Sequence, residues 1–468
     1  MSLRGPHGPA CIAIAGVVLL CGAPPAMPQV AAGLTIDQAS RLAQSSSEAI
    51  RIRELAVQKS RLAVDEAAGR AWPHVDLQAS GSYLVNPPTG YTVKAGALGA
   101  IDIPALGVHT PMPQQDFTIG SQLHDYFSVT ASFSQPLFAW GKIRNAIDAA
   151  ALQVESAGTD LVTQRRDIER EVHRAYYGAL LARESETVLR RIADTAAQIV
   201  ADRQTSLDQG SITREAVLEA QSRRAQIEAR LAEAGQSRAT ALESLGVFTG
   251  LDPSGIELAG SFREAAPSLD EESLRVRARD ASTDIASSRT RQSQAQKRLA
   301  IEQGGSILHP DVSLGLSFSV TGQEDLPYAS WQWSNSTWNW DLILSLGVRM
   351  SVFDGMASAA RIGQAEKDAE MAGQALIQQE KLTRLAVRRA VDAAVRAEAD
   401  LAEKQAQEEY AAERRKNAQV SVDNGMASRE DLHGAEILLG TAQLDRLLAQ
   451  FTLEESLADI AQLTGETP

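Results

Sequence analysis

Cysteine is nearly missing from this chain. Its two examples, Cys11 and Cys21, both fall in the first 32 residues. That stretch reads as a secretory leader: Arg4 precedes an apolar run from Ala10 to Leu20, too short to span a bilayer as a helix, and Val30-Ala31-Ala32 supplies small residues for cleavage. Lipidation at Cys21 is disfavoured by Leu20, bulkier than such sites prefer. The expected mature chain therefore has neither disulfides nor thiolate metal sites. Aromatic residues are scarce as well, at 5%. With long stretches of Ala, Gln, Glu and Arg, that scarcity argues for extended helices packed edge to edge rather than the two or three globular domains that 468 residues would ordinarily form. Positive charge is short, 45 Lys and Arg against 59 Asp and Glu, so a nucleic-acid partner is excluded for want of groups to neutralise phosphates. No later run is apolar enough for a transmembrane helix. The seven histidines are scattered without His-x-x-x-His spacing, and there is no phosphate-cradling glycine loop and no nucleophile elbow. No enzyme, metal centre or cofactor is expected.

What the chain does have is a duplication. Residues 207–221 read LDQGSITREAVLEAQ and residues 422–436 read VDNGMASREDLHGAE; Asp208 answers Asp423, an offset of 423 − 208 = 215, and Gly210, Thr213 and Glu215 answer Gly425, Ser428 and Glu430. PLFAWGK around Phe138 and SVFDGMA around Phe353 keep that offset, as do Thr249-Gly250 and Thr464-Gly465. Upstream the offset is 237, matching Leu62-Ala63 to Leu299-Ala300 and Pro73 to Pro310, so one copy carries a loop 237 − 215 = 22 residues longer. The chain thus divides into a leader, 1–32, a first repeat, 33–250, and a second, 251–468. Helices are expected over 34–71, 142–207 and 211–248 in the first repeat, and over 270–305, 357–422 and 428–464 in the second.

Local chemistry sets these boundaries. Thr35 with Gln38 fits a capping box, and Trp72-Pro73 stops the first helix. From Gly141 to Leu207 there is no proline, and Ile, Val, Leu, Ile, Ala, Ala, Leu and Ala recur every seventh position from 147 to 196, a coiled-coil stripe. Such a helix would be about 100 Å long. The matching stripe from Ile362 to Ala411 is interrupted by Thr383 and Lys404. Gly210 suits a left-handed helix end and Thr213 the cap of the returning helix, which covers roughly half the long one. Two half-length helices end to end then flank one long helix in a rod.

Four segments alternate apolar with small polar residues: 75–85, 126–138, 311–321 and 341–353. Phe127, Val129, Ala131 and Phe133, for example, alternate with Ser128, Thr130, Ser132 and Ser134. Lengths near ten residues and serine-lined inner faces suit membrane β-strands with lipid on one side and water on the other better than a soluble sandwich. Four strands cannot close, and open sheet edges are not viable in lipid, so three chains giving twelve strands are expected. Trp331, Trp333, Trp338 and Trp340 fall between the third and fourth strands, where they read either as an outer aromatic girdle or as a loop-packing cluster. The Gly- and Pro-rich loop over 86–125 is expected at the surface.

In this order, LTIDQA near the mature start, QPLFAWGK and SVFDGMA leaving the strands, and the Gly-x-x-[Ser/Thr] turns resemble the TolC-type outer membrane efflux proteins over essentially the whole mature chain. The resemblance implies a mainly α fold with a membrane β-barrel portion: tandem-duplicated helical hairpins plus four strands per chain, a homotrimer forming a twelve-strand barrel in outer membrane lipid continued by a twelve-helix α-barrel through the periplasm. It implies a passive exit duct for efflux or type I secretion, driven by an inner-membrane pump through a periplasmic adaptor. It assigns adaptor docking to Gly210, Ser211, Thr213, Gly425 and Ser428, and an acidic entrance gate to Asp431, whose family companion three residues on is here Gly434. The copy-one counterpart of Asp431 is Ala216, so a family salt bridge is missing, and Arg214, Glu215, Arg429 and Glu430 are expected to close the tips by pairing between hairpins. For Asp431 alone, a solvated carboxylate at a helix start is the competing reading. The rival for the whole chain is a soluble periplasmic coiled-coil scaffold without a barrel.

Overall fold

A computed structural model of the chain describes residues 33–86, 91–119, 125–307, 309–324 and 338–466. The leader, Trp331 and Trp333 lie outside the described residues.

Two helices of equal length dominate: α3 (Lys142–Asp208) and α7 (Ala357–Asp423), each 67 residues, or about 100 Å. Each turns back into a 36-residue helix, α4 (Arg214–Thr249) and α8 (Arg429–Thr464). None of the eight stripe positions of α3 is exposed, and Ile168, Ala182, Leu189 and Ala196 are buried. The α7 stripe is not exposed either: Thr383 is buried within it, and half-buried Lys404 holds its Nζ 3.4 Å from Glu403.

The single helix expected over 34–71 is two helices, α1 (Ile36–Ser46) and α2 (Glu48–Gly69), and that over 270–305 is likewise α5 (Glu271–Ala281) and α6 (Thr283–Gly304). Ser47 and Ser282 take extended backbone, ψ 119° and 115°, and each caps the next helix through its hydroxyl, accepting from the Ile50 and Ile285 N–H groups at 3.5 and 3.2 Å. A serine in a periodic stretch offers its neighbours' N–H groups an alternative partner, and here that alternative wins. The break also corrects the repeat register. These helices match at 271 − 36 = 235 and 283 − 48 = 235, so Leu62-Ala63 and Leu299-Ala300 stand two residues out of structural equivalence. The offset of 237 holds at Pro73 and Pro310 and at the start of the strand that follows each, 311 − 74 = 237.

A collar near mid-length of α3 is the largest core. Leu34, Ala43, Ile168, Val172, Tyr176, Leu180 and Leu245 pack there, and the Tyr176 hydroxyl donates to the Leu34 carbonyl at 3.0 Å. Gly260 lies so close that an added Cβ would stand 2.5 Å from that hydroxyl. The inter-repeat segment is thereby held against α3.

Four strands, β1 (His74–Tyr83), β6 (Asp125–Phe138), β7 (Asp311–Glu324) and β8 (Trp338–Arg349), form one antiparallel sheet in the order β1-β6-β7-β8. Residues 350–353, expected in the last strand, lie beyond its end. Register turns the alternation into faces. Val75-Phe133-Leu316-Leu344, Leu77-Ala131-Phe318-Leu342 and Ala79-Val129-Val320-Trp340 are cross-strand rows of one face. Asp76-Ser132-Ser317-Ile343, Gln78-Thr130-Ser319-Asp341 and Ser80-Ser128-Thr321-Asn339 are rows of the other, polar except for Ile343. Among the described residues β1 and β8 are the outer strands of this sheet. Between β1 and β6 lie two small hairpins, β2 (Tyr91–Val93) with β5 (Phe117–Ile119) and β3 (Ala100–Ile103) with β4 (Val108–Pro111), whose residues in β2, β3 and β4 are mostly exposed.

Candidate functional site: the hairpin tips

The twice-written turn folds identically twice. Gly210 and Gly425 both take φ +72°, the left-handed region in which a side chain is strained. In each copy two N–H groups cap the ending helix: Gly210 donates to the Leu207 carbonyl at 2.8 Å and Ser211 to Ser206 at 2.9 Å, while Gly425 donates to Val422 at 2.9 Å and Met426 to Ser421 at 2.8 Å. The Ser211 hydroxyl adds a 2.8 Å bond to the Ser206 carbonyl. Beyond the turn the copies diverge. Thr213 has the extended backbone of a cap but makes no side-chain cap bond. Ser428 forms a full capping box: its hydroxyl accepts from the Asp431 N–H at 3.2 Å, and Asp431 Oδ2 accepts from the Ser428 N–H at 3.0 Å and hydroxyl at 2.7 Å.

Asp431 is thus both exposed and engaged. The Ser428 hydroxyl, then the Ser428 N–H, hold its carboxyl below the usual aspartate range, which keeps it charged. Of the four residues expected to pair between hairpins, Arg214, Glu215 and Arg429 form no ion pair among the described residues. Glu430 does cross to the other hairpin, but its partner is Arg203 of α3. The same guanidinium donates to the Ala216 carbonyl at 2.8 Å and reaches Glu219 at 3.4 Å, so Arg203 ties α3, α4 and α8 together. The repeat puts Ala418 at its counterpart, 203 + 215 = 418, so the pairing depends on how the two hairpins sit together.

The seam where α8 lies along α3 continues upward through Thr195, whose hydroxyl donates to Glu436 at 3.3 Å, and Arg191, which donates to Gln443 at 2.8 Å. At the tip the hairpins enclose a cleft of about 470 Å³ lined by Ile199, Arg203, Ile212, Ser428 and Arg429 among others. Among the described residues, no group of three or more His, Cys, Asp or Glu side chains could hold a metal ion, although Glu430 and His433 stand three apart on one helix. No described helix is long and apolar enough to cross a membrane. Trp340 lies on the apolar face of the sheet, 69% exposed, and Trp338 follows two positions along β8 toward its start.

The described chain combines paired long hairpins with a small two-faced sheet. Residues 39–251 match the model of the Outer membrane efflux protein family. No curated protein sequence matches the chain. The fold is similar to the CmeC outer membrane channel of Campylobacter jejuni (TM-score 0.71, 14% identity, 92% of this chain and 86% of that one). It is also similar to VceC of Vibrio cholerae (0.66, 18%, 92% and 97%) and to the open state of the Neisseria gonorrhoeae MtrE channel (0.67, 15%, 92% and 89%). The resemblance read from the sequence is borne out: residues 39–251 match the outer membrane efflux protein family model, and these solved structures of similar fold are outer membrane channels.

Proposed function

We propose that the protein is the outer membrane exit duct of a tripartite export system, working as a homotrimer. Three four-stranded sheets close edge to edge into a twelve-strand barrel in the outer membrane, and three pairs of hairpins continue it as a twelve-helix tunnel through the periplasm. The observation that carries this reading is the sheet. It has an apolar face of three clean rows, an opposite face that is polar except for Ile343, and β1 and β8 as its outer strands among the described residues. Lipid tolerates such a sheet only when every edge is paired, which a closed ring of copies achieves. A soluble scaffold would leave Val75, Leu77, Leu342, Leu344 and Leu346, each well over half exposed, in water without a partner.

In this reading residues 1–32 are the cleaved leader, Trp338 and Trp340 belong to the girdle at the outer rim, and passage is passive. The identical turns at Gly210 and Gly425 present six equivalent tips around the trimer. A periplasmic adaptor docks on them and couples the duct to an inner-membrane pump. Asp431 from each chain lines the entrance with negative charge that favours cations. Arginine placed at the paired exposed positions Ser211 and Met426 (426 − 215 = 211) tests the docking. The double variant is expected to retain trimer and pore while losing adaptor capture and export in cells. Retention of both would overturn the assignment.

A further inference from the structure

The α3–α8 seam contains a buried base that neither docking nor the acidic gate uses. His433, on the first turns of α8, is 7% exposed. Its Nε2 lies 3.4 Å from Asp202 Oδ2 on α3, and its Nδ1 lies 3.5 Å from Glu436 Oε2 on α8. Neither ring nitrogen makes a hydrogen bond. A buried polar group without partners is destabilising in its neutral form. With a proton on each nitrogen, a closer approach of a few tenths of an ångström would turn both contacts into charge-assisted hydrogen bonds, one of them across the seam. Because the two carboxylates face different nitrogens, no single metal ion can bridge the three groups; the arrangement suits a proton.

The surrounding charges leave that role open. On α3, Arg203 is occupied by Glu430 and Glu219, and the Asp202 carboxylate has no other ion-pair partner among the described residues. On α8, Glu436 Oε2 also accepts from Thr195, and from α7 Arg415 approaches only the other oxygen, Oε1, at 3.8 Å. The repeat isolates the device further. The counterparts are Leu218 (433 − 215), Gln221 (436 − 215) and Asn417 (202 + 215), none of them titratable in the histidine range. In the proposed trimer those residues belong to the equivalent seam between neighbouring chains, so the proton-sensitive contact exists only within a chain.

We propose that His433 is a proton-operated latch that ties α8 to α3 at the periplasmic entrance when charged and releases it when neutral. The latch rests on the duct reading, in which the entrance widens only if the hairpins part. It predicts a channel held narrower in acid.

The test uses the full-length protein at about pH 5.5 and about pH 8, the range in which histidine changes charge. One readout is single-channel conductance in planar bilayers. The other is the distance between spin labels on cysteines replacing exposed Ala201 and Gly434, either side of the seam. The expected result is conductance lower by about 5-fold or more in acid, the low end of usual coupling between sites, with a shorter seam distance. Both responses should disappear in His433→Gln and weaken in Asp202→Asn. A His433→Gln protein that keeps the wild-type pH response, or a wild-type protein with none in either readout, overturns the latch. If His433→Gln does not assemble, Asp202→Asn decides by the same criterion. A seam distance that follows His433 in a protein without conductance at any pH would sink the duct and leave the latch standing; conductance whose pH response ignores His433 does the reverse.

Discussion

His173 and Asp431 show how differently a fold can treat two ionisable residues. His173 is buried in α3, its ring 4.5 Å from that of Tyr177, and burial, with the Arg263 guanidinium second, lowers its pKa from 6.5 to about 4. The folded protein therefore refuses a proton that the unfolded chain accepts. This contribution to stability is fully present above pH 6.5 and is lost as pH falls toward about 4, by on the order of 3 kcal/mol if the whole shift is realised. A His173→Phe variant should lose less thermal stability across that window than the wild type; equal losses would contradict the assignment. Asp431 is the opposite case, an exposed acid whose pKa its Ser428 partners lower. Its charge is present above the ordinary aspartate range and lost only as pH falls below it. Asp431→Asn, which keeps an oxygen for the Ser428 N–H, should reduce cation selectivity at neutral pH, measured as a reversal potential in a salt gradient. Unchanged selectivity would remove Asp431 from the entrance.

At the scale of elements, the duplication makes an internal control. Both returning helices begin after the same left-handed glycine, yet only Ser428 spends its hydroxyl on the helix start. Ser428→Ala should therefore cost about 1 kcal/mol and Thr213→Ala only a few tenths, read as the difference between the two thermal shifts; equal shifts would mean the caps do not matter. Much at this scale was legible in the sequence. The stripe from 147 to 196 located α3 because a seven-residue period is written in each residue, and the glycine turns located its end. The serine breaks at Ser47 and Ser282 were missed because a cap inside a periodic stretch looks like any polar helix residue. The Arg203–Glu430 pair was missed because its partners are 227 residues apart and meet only once the hairpins pack. His433 did leave a trace: it stands where the first copy has Leu218, and Leu218 is 53% exposed while His433 is buried. Reading the two copies for their differences, not only their agreements, would have singled it out.

At the scale of the whole molecule, the two ends differ in how far one chain covers them. The helical end covers the collar around Tyr176 and the stripes of α3 and α7 within one chain, though Leu62, Leu218 and Val247 stand exposed there. The sheet end is left more open: among the described residues β1 and β8 are its outer strands, and a row of leucines along the last strand is open to solvent. In the proposed duct the contacts missing from one chain are supplied by further copies of itself and by lipid. Burying that strand alone against hydrocarbon is favourable by several kcal/mol, at roughly 2 kcal/mol per leucine-sized side chain. The most direct measurement is the mass of the detergent-extracted protein by native mass spectrometry, with the same material then added to a planar bilayer. The account predicts a stable trimer that opens discrete, water-filled conductance steps. A monomer that remains soluble without detergent and leaves the bilayer silent would contradict it.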